Sequence, residues 1–389
     1  MERMADIKKV AVVYQTAPIY REALFKRLFG RSGERFEFTL FAGACARESN
    51  IRLLDPALAN RPLSEGGLRW HFVKNLWMGH FLIQPYILLL PFQRRWEAVI
   101  FLGNAYYIST WIAAILCRLS GKKVLFWTHG YRSRPRSRAV GFAKNLFFHI
   151  ADGLILYGQR AREILEGEGF SGKRLFVAYN SLDYEHHQQL LFAAKAKPSA
   201  SVARQSQTCI WIGRFIDGKE LPVLLRAFAV LRQSRESARL VLIGEGPEQE
   251  AMMALAEELN LSDSVDFPGP IFDQGVLAEY LMQADLAVSP GAVGVFAVLA
   301  HTFGLPVMTH SDWSVQGPEA EIIVPGVTGE FFTRGDTAGL ANMLDLWLSD
   351  PLRLKEARAK CMEQVSAHYT PEQQQRAIEN AINQSMLKS

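Results

Sequence analysis

The segment WIGRFIDGKELPVLLRAF, residues Trp211–Phe228, carries most of the information about the fold. An apolar strand ends at Gly213, a turn follows around Asp217–Gly218, and an amphipathic run begins at Lys219. This pattern predicts a strand, a short loop and a helix, which is the repeating unit of a parallel α/β sheet. Arg214 and Lys219 would then lie close together, at the end of the strand and the start of the helix.

These two cations predict an anion site. Positive side chains beside the free N–H groups of a helix N-terminus suit a diphosphate. The alternative is that Arg214 and Lys219 are solvated charges on an ordinary strand–helix loop. The segment by itself leaves both interpretations open.

Short apolar runs alternate with helical patterns on both sides of this segment. Before it stand KVAVVYQ, AVIFLG, KKVLFWTHG and DGLILYG, and after it stand RLVLIGEG, ADLAVSP and LPVMTH. Continuous apolar strands that alternate with helices predict parallel sheets covered on both faces. We therefore expect an α/β protein with two Rossmann-like domains that face each other across a cleft, where ligands bind at the carboxyl ends of the strands.

The expected domain boundaries follow a change in composition. The run LLFAAKAKPSASVARQSQT is rich in Ala, Ser, Lys and Gln, which is typical of a linker. We expect an N-terminal domain at 1–187, a linker at 188–207 and a C-terminal domain at 208–368. A last helix at 369–389 is expected to pack back on the N-terminal domain.

Composition favours a folded protein without a membrane span. Of the 389 residues, 49% are hydrophobic and 21% are charged, as in globular proteins. The four cysteines form no CxxC pair, so we expect a reducing cytoplasm, no disulfide framework and no metal site. The run from Val99 to Cys117 is about long enough for a span, but Gly103 and Asn104 divide it into a strand and a helix.

Charge differs between the two halves of the chain. Residues 1–187 carry 27 Lys or Arg and 15 Asp or Glu, whereas residues 188–389 carry 16 and 24. We expect the basic half to meet an anionic partner, such as the inner face of an anionic membrane, and not nucleic acid, since no nucleic-acid module is present. The alternative is a solvated or internally paired charge run. The four basic residues expected at such a membrane are Arg132, Arg134, Arg136 and Arg138.

An ordered series of motifs resembles glycosyltransferase family 4, whose members are nucleotide-sugar enzymes of the GT-B fold. GRFIDGKELPVLLRAF is similar to the family's GR…KG…LL.AF, LVLIGEGPEQE to IGDGP, and YLMQADLAVSP to Y..ADL.V.PS. FGLPVMTH is similar to CGLPVVAT, PEAEIIVPGVTGEFF to PE.I..G..G.L, and YNSLDYE stands where the family has NG.D. The resemblance covers most of residues 150–345. It implies a nucleoside-diphosphate sugar as donor and no other cofactor.

The resemblance also implies roles for individual residues. Arg214 and Lys219 would hold the donor diphosphate and stabilise charge on the leaving nucleotide, so that no metal is needed. The nucleobase would lie against the backbone near Phe267 to Pro270, which makes Phe267 and Gly269 donor-binding residues. His129, which follows an apolar strand, would touch the donor sugar or the developing charge. The alternative for His129 is a loop histidine that caps a neighbouring helix.

The stretch SPGAVGVFAVLAHTFGLPVMTH, Ser289–His310, departs from the family. The family has E-x7-E here, and its two glutamates fall on Gly291 and Leu299. The pattern SPG.VG…A.H…G.PV.TH……PE resembles a subgroup of bacterial surface-polysaccharide glycosyltransferases, so we interpret the stretch as a variant donor site. The residues expected to contact the donor there are Gly294, His301 and Glu319, although His301 fits equally well as a satisfied helix histidine.

Three functions remain open at this point. The leading hypothesis is a retaining, metal-independent hexosyltransferase of cell-envelope polysaccharide synthesis, with a lipid-linked or oligosaccharide acceptor. Its acceptor face is expected in APIYREALFKRLFG, at Tyr20, Arg21 and Lys26. The second hypothesis is a non-catalytic partner that kept the GT-B fold. The third is a GT-B epimerase, which needs acid and base carboxylates of its own.

Overall fold

The structure, a computed structural model, describes residues 7–30, 35–45, 52–133, 137–195 and 207–387. The chain divides into two compact units. The first contains Met1–Asp183 and Thr370–Ser389, and the second contains Tyr184–Tyr369.

The first unit is built on a seven-stranded parallel sheet with the order β3-β2-β1-β6-β7-β8-β9. A separate antiparallel hairpin consists of β4 and β5. The strands are β1 (Lys8–Thr16), β2 (Phe36–Gly43), β3 (Trp70–Phe72), β4 (Leu76–Met78), β5 (Phe81–Ile83), β6 (Ala98–Leu102), β7 (Lys123–Thr128), β8 (Gly153–Leu156) and β9 (Leu175–Val177). The first four helices are α1 (Glu22–Phe29), α2 (Ile108–Leu119), α3 (Arg138–Ile150) and α4 (Gln159–Gly167).

The second unit is built on a six-stranded parallel sheet with the order β12-β11-β10-β13-β14-β15. Its strands are β10 (Thr208–Ile212), β11 (Arg239–Ile243), β12 (Val265–Gly269), β13 (Leu286–Ser289), β14 (Val307–His310) and β15 (Gly329–Phe332). The remaining helices are α5 (Tyr184–Lys195), α6 (Leu221–Ser234), α7 (Gln249–Glu258), α8 (Gln274–Gln283), α9 (Phe296–Thr302), α10 (Thr337–Leu348), α11 (Pro351–His368) and α12 (Pro371–Met386).

The burial pattern of β7 shows why the first sheet is covered on both faces. Val124 and Phe126 belong to one hydrophobic cluster, together with residues of α2 and α3. Leu125 and Trp127 point the other way, into a cluster that includes Ile378 of α12. Because side chains alternate along a strand, an unbroken apolar run needs a cover on each side.

Helix α12 contributes to the first unit although it follows the second in the chain. It contacts α1, β7, β8 and β9. Its residues Ile378 and Ile382 are fully buried in the core of the first unit.

The linker expected at 188–207 differs from the structure in its first part. Residues 188–195 form the end of α5, which belongs to the second unit. The reason is that Leu, Ala, Gln and Lys are strong helix formers, and Leu191 is buried on this helix. Residues 196–206 lie outside the described residues.

The apolar run at 99–117 divides into strand β6 and helix α2, as the sequence predicts. None of the helices within the described ranges is both long enough and apolar enough to cross a membrane.

Candidate functional site

In both sheets the connections diverge on either side of one strand pair, β1 and β6 in the first unit and β10 and β13 in the second. The loops that follow such a pair leave a crevice at the carboxyl edge of the sheet, where ligands of this class of fold bind.

The loops after β10 and β13 contact each other in the second unit. Lys219 Nζ donates a hydrogen bond of 2.6 Å to the carbonyl oxygen of Ala292. A Cβ atom on Gly291 would lie 2.4 Å from the carbonyl oxygen of Gly218 and 2.7 Å from the Cα of Lys219. Only glycine therefore fits at position 291, because the loop after β10 occupies the space of any side chain.

A buried carboxylate lies near the Lys219 ammonium. Glu319 is 7% exposed and belongs to a 3-10 turn, Pro318–Ile322, in the loop after β14. Burial lowers the pKa of Lys219, and the charge of Glu319 opposes that shift. Glu319 thus partly compensates a desolvated cation at the carboxyl edge of the sheet.

Gln316 fixes the loop after β13. Its Oε1 accepts a hydrogen bond of 3.0 Å from the backbone N–H of Val293. Its Nε2 donates to Thr309 Oγ1 over 2.9 Å and to the His310 carbonyl oxygen over 3.1 Å. Gln316 was not predicted as a site residue, because a single Gln in a loop does not indicate that its side chain is buried. In the structure Gln316 is 2% exposed.

The other predicted donor residues lie at the same edge. Arg214 directly follows Gly213 and is exposed, and its side chain has no hydrogen bond or ion pair among the described residues. The Phe267 ring is half-buried at the end of β12 and lies 6.3 Å from the Phe215 ring. Gly269 and Gly294 have φ angles of 79° and 55°, a region that favours glycine.

The start of helix α6 corrects one prediction. The helix begins at Leu221 and not at Lys219, which ends a separate 3-10 turn at Asp217–Lys219. Glu220 has a φ of 52°, in the left-handed region, so the 3-10 turn does not continue into the helix. Pro222 then occupies the first turn, where its missing N–H costs no hydrogen bond.

The prediction that His301 contacts the donor is wrong. Its side chain is fully buried, and its Nε2 lies 3.0 Å from the carbonyl oxygen of Thr328. Burial lowers the pKa of His301 to about 4, while the Thr328 hydrogen bond opposes that shift. The helix presents position 301 to the core, whereas Leu299 two residues earlier is half-buried.

A cavity of about 710 Å³ lies in the first unit, at the carboxyl ends of β1, β6, β7 and β8. Among the described residues, its walls hold three basic side chains, those of Arg21, His129 and Lys144, and no carboxylate. Phe81 and Tyr106 also line it and remain 45% and 56% exposed. The cavity therefore combines positive charge with exposed apolar surface.

Arg21 is buried in this cavity among aromatic rings. It is 4% exposed, and its Nη2 donates to Tyr157 Oη over 2.8 Å and to Asn180 Oδ1 over 2.9 Å. Its guanidinium carbon lies 5.7 Å from the centre of the Tyr14 ring and 5.2 Å from that of Trp127. The rings stabilise the cation through their negative faces.

His129 and Lys144 lie at the same cavity. The His129 ring centre is 4.4 Å from that of Tyr157, against which Arg21 also packs. Desolvation by the cavity walls, aided by nearby cations, lowers the pKa of His129 to about 4, although the residue keeps exposed surface, and its imidazole is neutral near pH 7. It caps no helix, since it has no hydrogen bond among the described residues. Burial also lowers the pKa of Lys144 to about 8, and its Nζ donates to the Gly130 carbonyl oxygen.

The structure separates the three residues expected at the acceptor face. Tyr20 and Arg21 line the cavity, but Lys26 does not. Lys26 forms an ion pair of 2.7 Å with Glu22, one turn earlier on the outer side of α1. The helical period explains the error, because position 26 falls on the exposed side of α1.

Only part of the expected membrane-facing arginine run is described. Arg132 is exposed. Arg134 and Arg136 lie outside the described residues, and only the backbone of Arg138 is described, at the start of α3. Among the ranges that the structure describes, no group of three or more His, Cys, Asp or Glu residues could hold a metal ion.

Comparisons with known proteins agree with this architecture. The family model for glycosyl transferases group 1 matches residues 170–368, just over half of the chain. A relative from Campylobacter jejuni is the N-acetylgalactosamine-N,N'-diacetylbacillosaminyl-diphospho-undecaprenol 4-alpha-N-acetylgalactosaminyltransferase. It is 26% identical over 180 residues, which are 43% of this chain and 44% of the relative. The chain covers about half, or less, of the length of the curated relatives that it matches.

Two solved structures show the fold. The lipopolysaccharide outer core galactosyltransferase WaaB superposes with a TM-score of 0.69 at 16% identity, over 96% of this chain and 99% of that one. Anabaena HepE in complex with UDP superposes with a TM-score of 0.70 at 16% identity, over 97% and 100%. Together with the two Rossmann-like sheets, these matches confirm the predicted GT-B fold.

Proposed function

Because the chain belongs to the glycosyl transferases group 1 family, we propose that it transfers a sugar from a nucleoside-diphosphate sugar to a lipid-linked or oligosaccharide acceptor of cell-envelope polysaccharide. The observation that carries the proposal is the position of Lys219, which the contact between the loops after β10 and β13 holds beside Gly291 and near Glu319 of the loop after β14. Support also comes from the Campylobacter relative, whose name specifies a diphospho-undecaprenol acceptor, and from the UDP bound to HepE.

Arg214 and Lys219 would act on the donor diphosphate. When the bond between the sugar and the diphosphate breaks, negative charge grows on the leaving phosphate oxygen. Cations already held at that position stabilise this charge without rearranging. Lys219 is tethered to Ala292, whereas Arg214 is exposed and able to close on the ligand. The proposal includes a hexosyl donor, retention of anomeric configuration and no metal requirement.

Nucleotide binding tests the donor site. We expect UDP to bind the wild-type protein in calorimetry, and Arg214→Met and Lys219→Met to weaken binding by about 10- to 100-fold each, since charge-assisted hydrogen bonds contribute about 1.5–3 kcal/mol. Arg226→Met is the matched control, because Arg226 is an exposed cation on α6, away from the loop. Unchanged UDP affinity in the double variant would refute the donor assignment.

One observation favours a second candidate, a non-catalytic partner with the same fold. Glycine occupies position 291 and leucine occupies position 299, so neither position offers a carboxylate. A wild-type protein that binds nucleotide but releases no UDP from UDP-sugars in the presence of lipid-linked acceptors would support this candidate.

A further inference from the structure

We propose that the cavity of the first unit binds a phosphate group that carries a hydrocarbon chain. The phosphate would lie at Arg21, His129 and Lys144, and the chain would leave along Phe81 and Tyr106. The inference rests on the proposed function, since it specifies the acceptor as an amphiphilic phosphate. The following observations all concern the described residues of this one unit.

The first observation is a buried cation without a carboxylate. The side-chain hydrogen bonds of Arg21 go to the hydroxyl groups of Tyr20 and Tyr157 and to the amide oxygen of Asn180. Its Nη1 donates to no atom of the described residues. Burying a guanidinium in this way is costly unless an anion compensates it. The cavity provides space for that anion beside Arg21.

The second observation is that the other polar groups of the cavity also suit an anion. Lys144 lies in the wall with its ammonium 4.2 Å from the Tyr131 ring centre, and burial lowers its pKa to about 8. A phosphate nearby would reverse that shift. Neutral His129 offers one N–H donor. From Gly66 to Ala151 the sequence has twelve Lys or Arg and a single acid, Glu97.

The third observation is the apolar surface at the same cavity. Exposed apolar residues line the cavity. Val140 is 63% exposed, Phe81 is 45% exposed and Tyr106 is 56% exposed. Helix α2, which contacts β5 and α3, adds exposed side chains at the spacing of one helical face. These are Ile108, Ile112, Ile115 and Leu119. Exposed apolar side chains beside a basic cavity match a ligand with a charged head and a hydrocarbon tail.

Three probes separate the two halves of this ligand. They are farnesyl diphosphate, inorganic pyrophosphate and farnesol, and binding is followed by the fluorescence of Trp111 and Trp127, which line the cavity. We expect farnesyl diphosphate to bind at least tenfold more tightly than either other probe. Equal affinity for pyrophosphate would refute the hydrocarbon part of the proposal and identify a soluble phosphate site. No binding of either diphosphate would refute the whole proposal.

Variants assign the binding to these residues. We expect Arg21→Met and Lys144→Met each to weaken both diphosphates at least tenfold, and Phe81→Ser to weaken only farnesyl diphosphate. The matched control is Lys26→Met, which removes a cation paired with Glu22 outside the cavity. Unchanged affinity in both Arg21→Met and Lys144→Met would overturn the site.

Melting temperatures show whether a loss of binding in Arg21→Met comes from the site or from a loss of folding. Arg21 has no carboxylate partner among the described residues, so Arg21→Met removes a desolvated charge together with the hydrogen bonds to Tyr157 and Asn180, and its melting temperature is expected to stay close to that of the wild type. If it melts well below the wild type, Lys144→Met, whose side chain is only partly buried, decides the question.

The two proposals fail separately. Arg21→Met should keep its affinity for UDP, and the Arg214→Met, Lys219→Met double variant should keep its affinity for farnesyl diphosphate. Loss of nucleotide binding alone would refute the donor site and leave the cavity assignment standing. A wild-type protein that binds UDP but not farnesyl diphosphate would refute the cavity assignment alone.

Discussion

At the residue scale, Gly291 controls the position of Lys219. A Cβ at 291 would collide with backbone atoms of Gly218 and Lys219, which cannot rotate away as a side chain could. We expect Gly291→Ala to displace the loop after β10 and to weaken UDP binding at least tenfold in calorimetry. The control is Gly218→Ala on the opposite side of the contact, where an added Cβ meets no atom within 4 Å.

The same contact predicts the effect of placing a glutamate at position 291. Gly291→Glu should bind UDP more weakly than the wild type, because the loop after β10 fills the volume that the side chain would need. Tighter UDP binding in this variant would show that the loop moves readily, and the steric explanation would then be wrong.

A second residue-scale prediction concerns His301 and pH. Burial lowers its pKa in the folded state from 6.5 to about 4, so the unfolded chain binds more protons between these values. Stability therefore falls as pH falls through this window, by about 2 kcal/mol from this group between pH 7 and pH 5. Urea unfolding of His301→Gln should show a weaker dependence on pH than that of the wild type. An equal dependence in both proteins would contradict the assignment.

At the scale of elements, α12 is expected to hold the first unit together. Ile382 is fully buried, so Ile382→Ala should lower the free energy of unfolding by about 2–5 kcal/mol. Gln384 on the same helix is exposed, and Gln384→Ala should change that energy by less than about 0.5 kcal/mol. Urea unfolding distinguishes the two variants, and equal midpoints would show that the helix packs only loosely.

Elements also show what the sequence could predict. The strands were predictable because sheets covered on both faces need unbroken apolar runs, such as VLFW in β7. The buried sides of α1 and α9 were not predictable, because which side of a helix is buried depends on the elements that pack against it. Lys26 therefore proved to be outside the cavity and His301 inside the core. Gln316 was missed for the same reason, since only tertiary contacts bury it.

At the scale of the whole molecule, the charge difference predicts reversible attachment to anionic membranes. Each basic residue near an anionic leaflet contributes about 1 kcal/mol. We expect the protein to float with anionic liposomes at low salt and to sink near 1 M salt, where the Debye length is about 3 Å. Replacing Arg132, Arg134, Arg136 and Arg138 by Ser should also prevent flotation. A wild-type protein that ignores these liposomes at low salt would contradict this prediction.

The return of α12 to the first unit has a consequence for how the chain is made on the ribosome. The second unit is continuous in sequence and is fully synthesised once Tyr369 has emerged. The first unit still lacks Ile378 and Ile382 at that moment, although its strands were translated first. Its core therefore closes only after the second unit has been translated, which reverses the usual order in which domains mature during synthesis. A message cut short before codon 370 would yield a polypeptide with an open core, a natural substrate for chaperones and proteases.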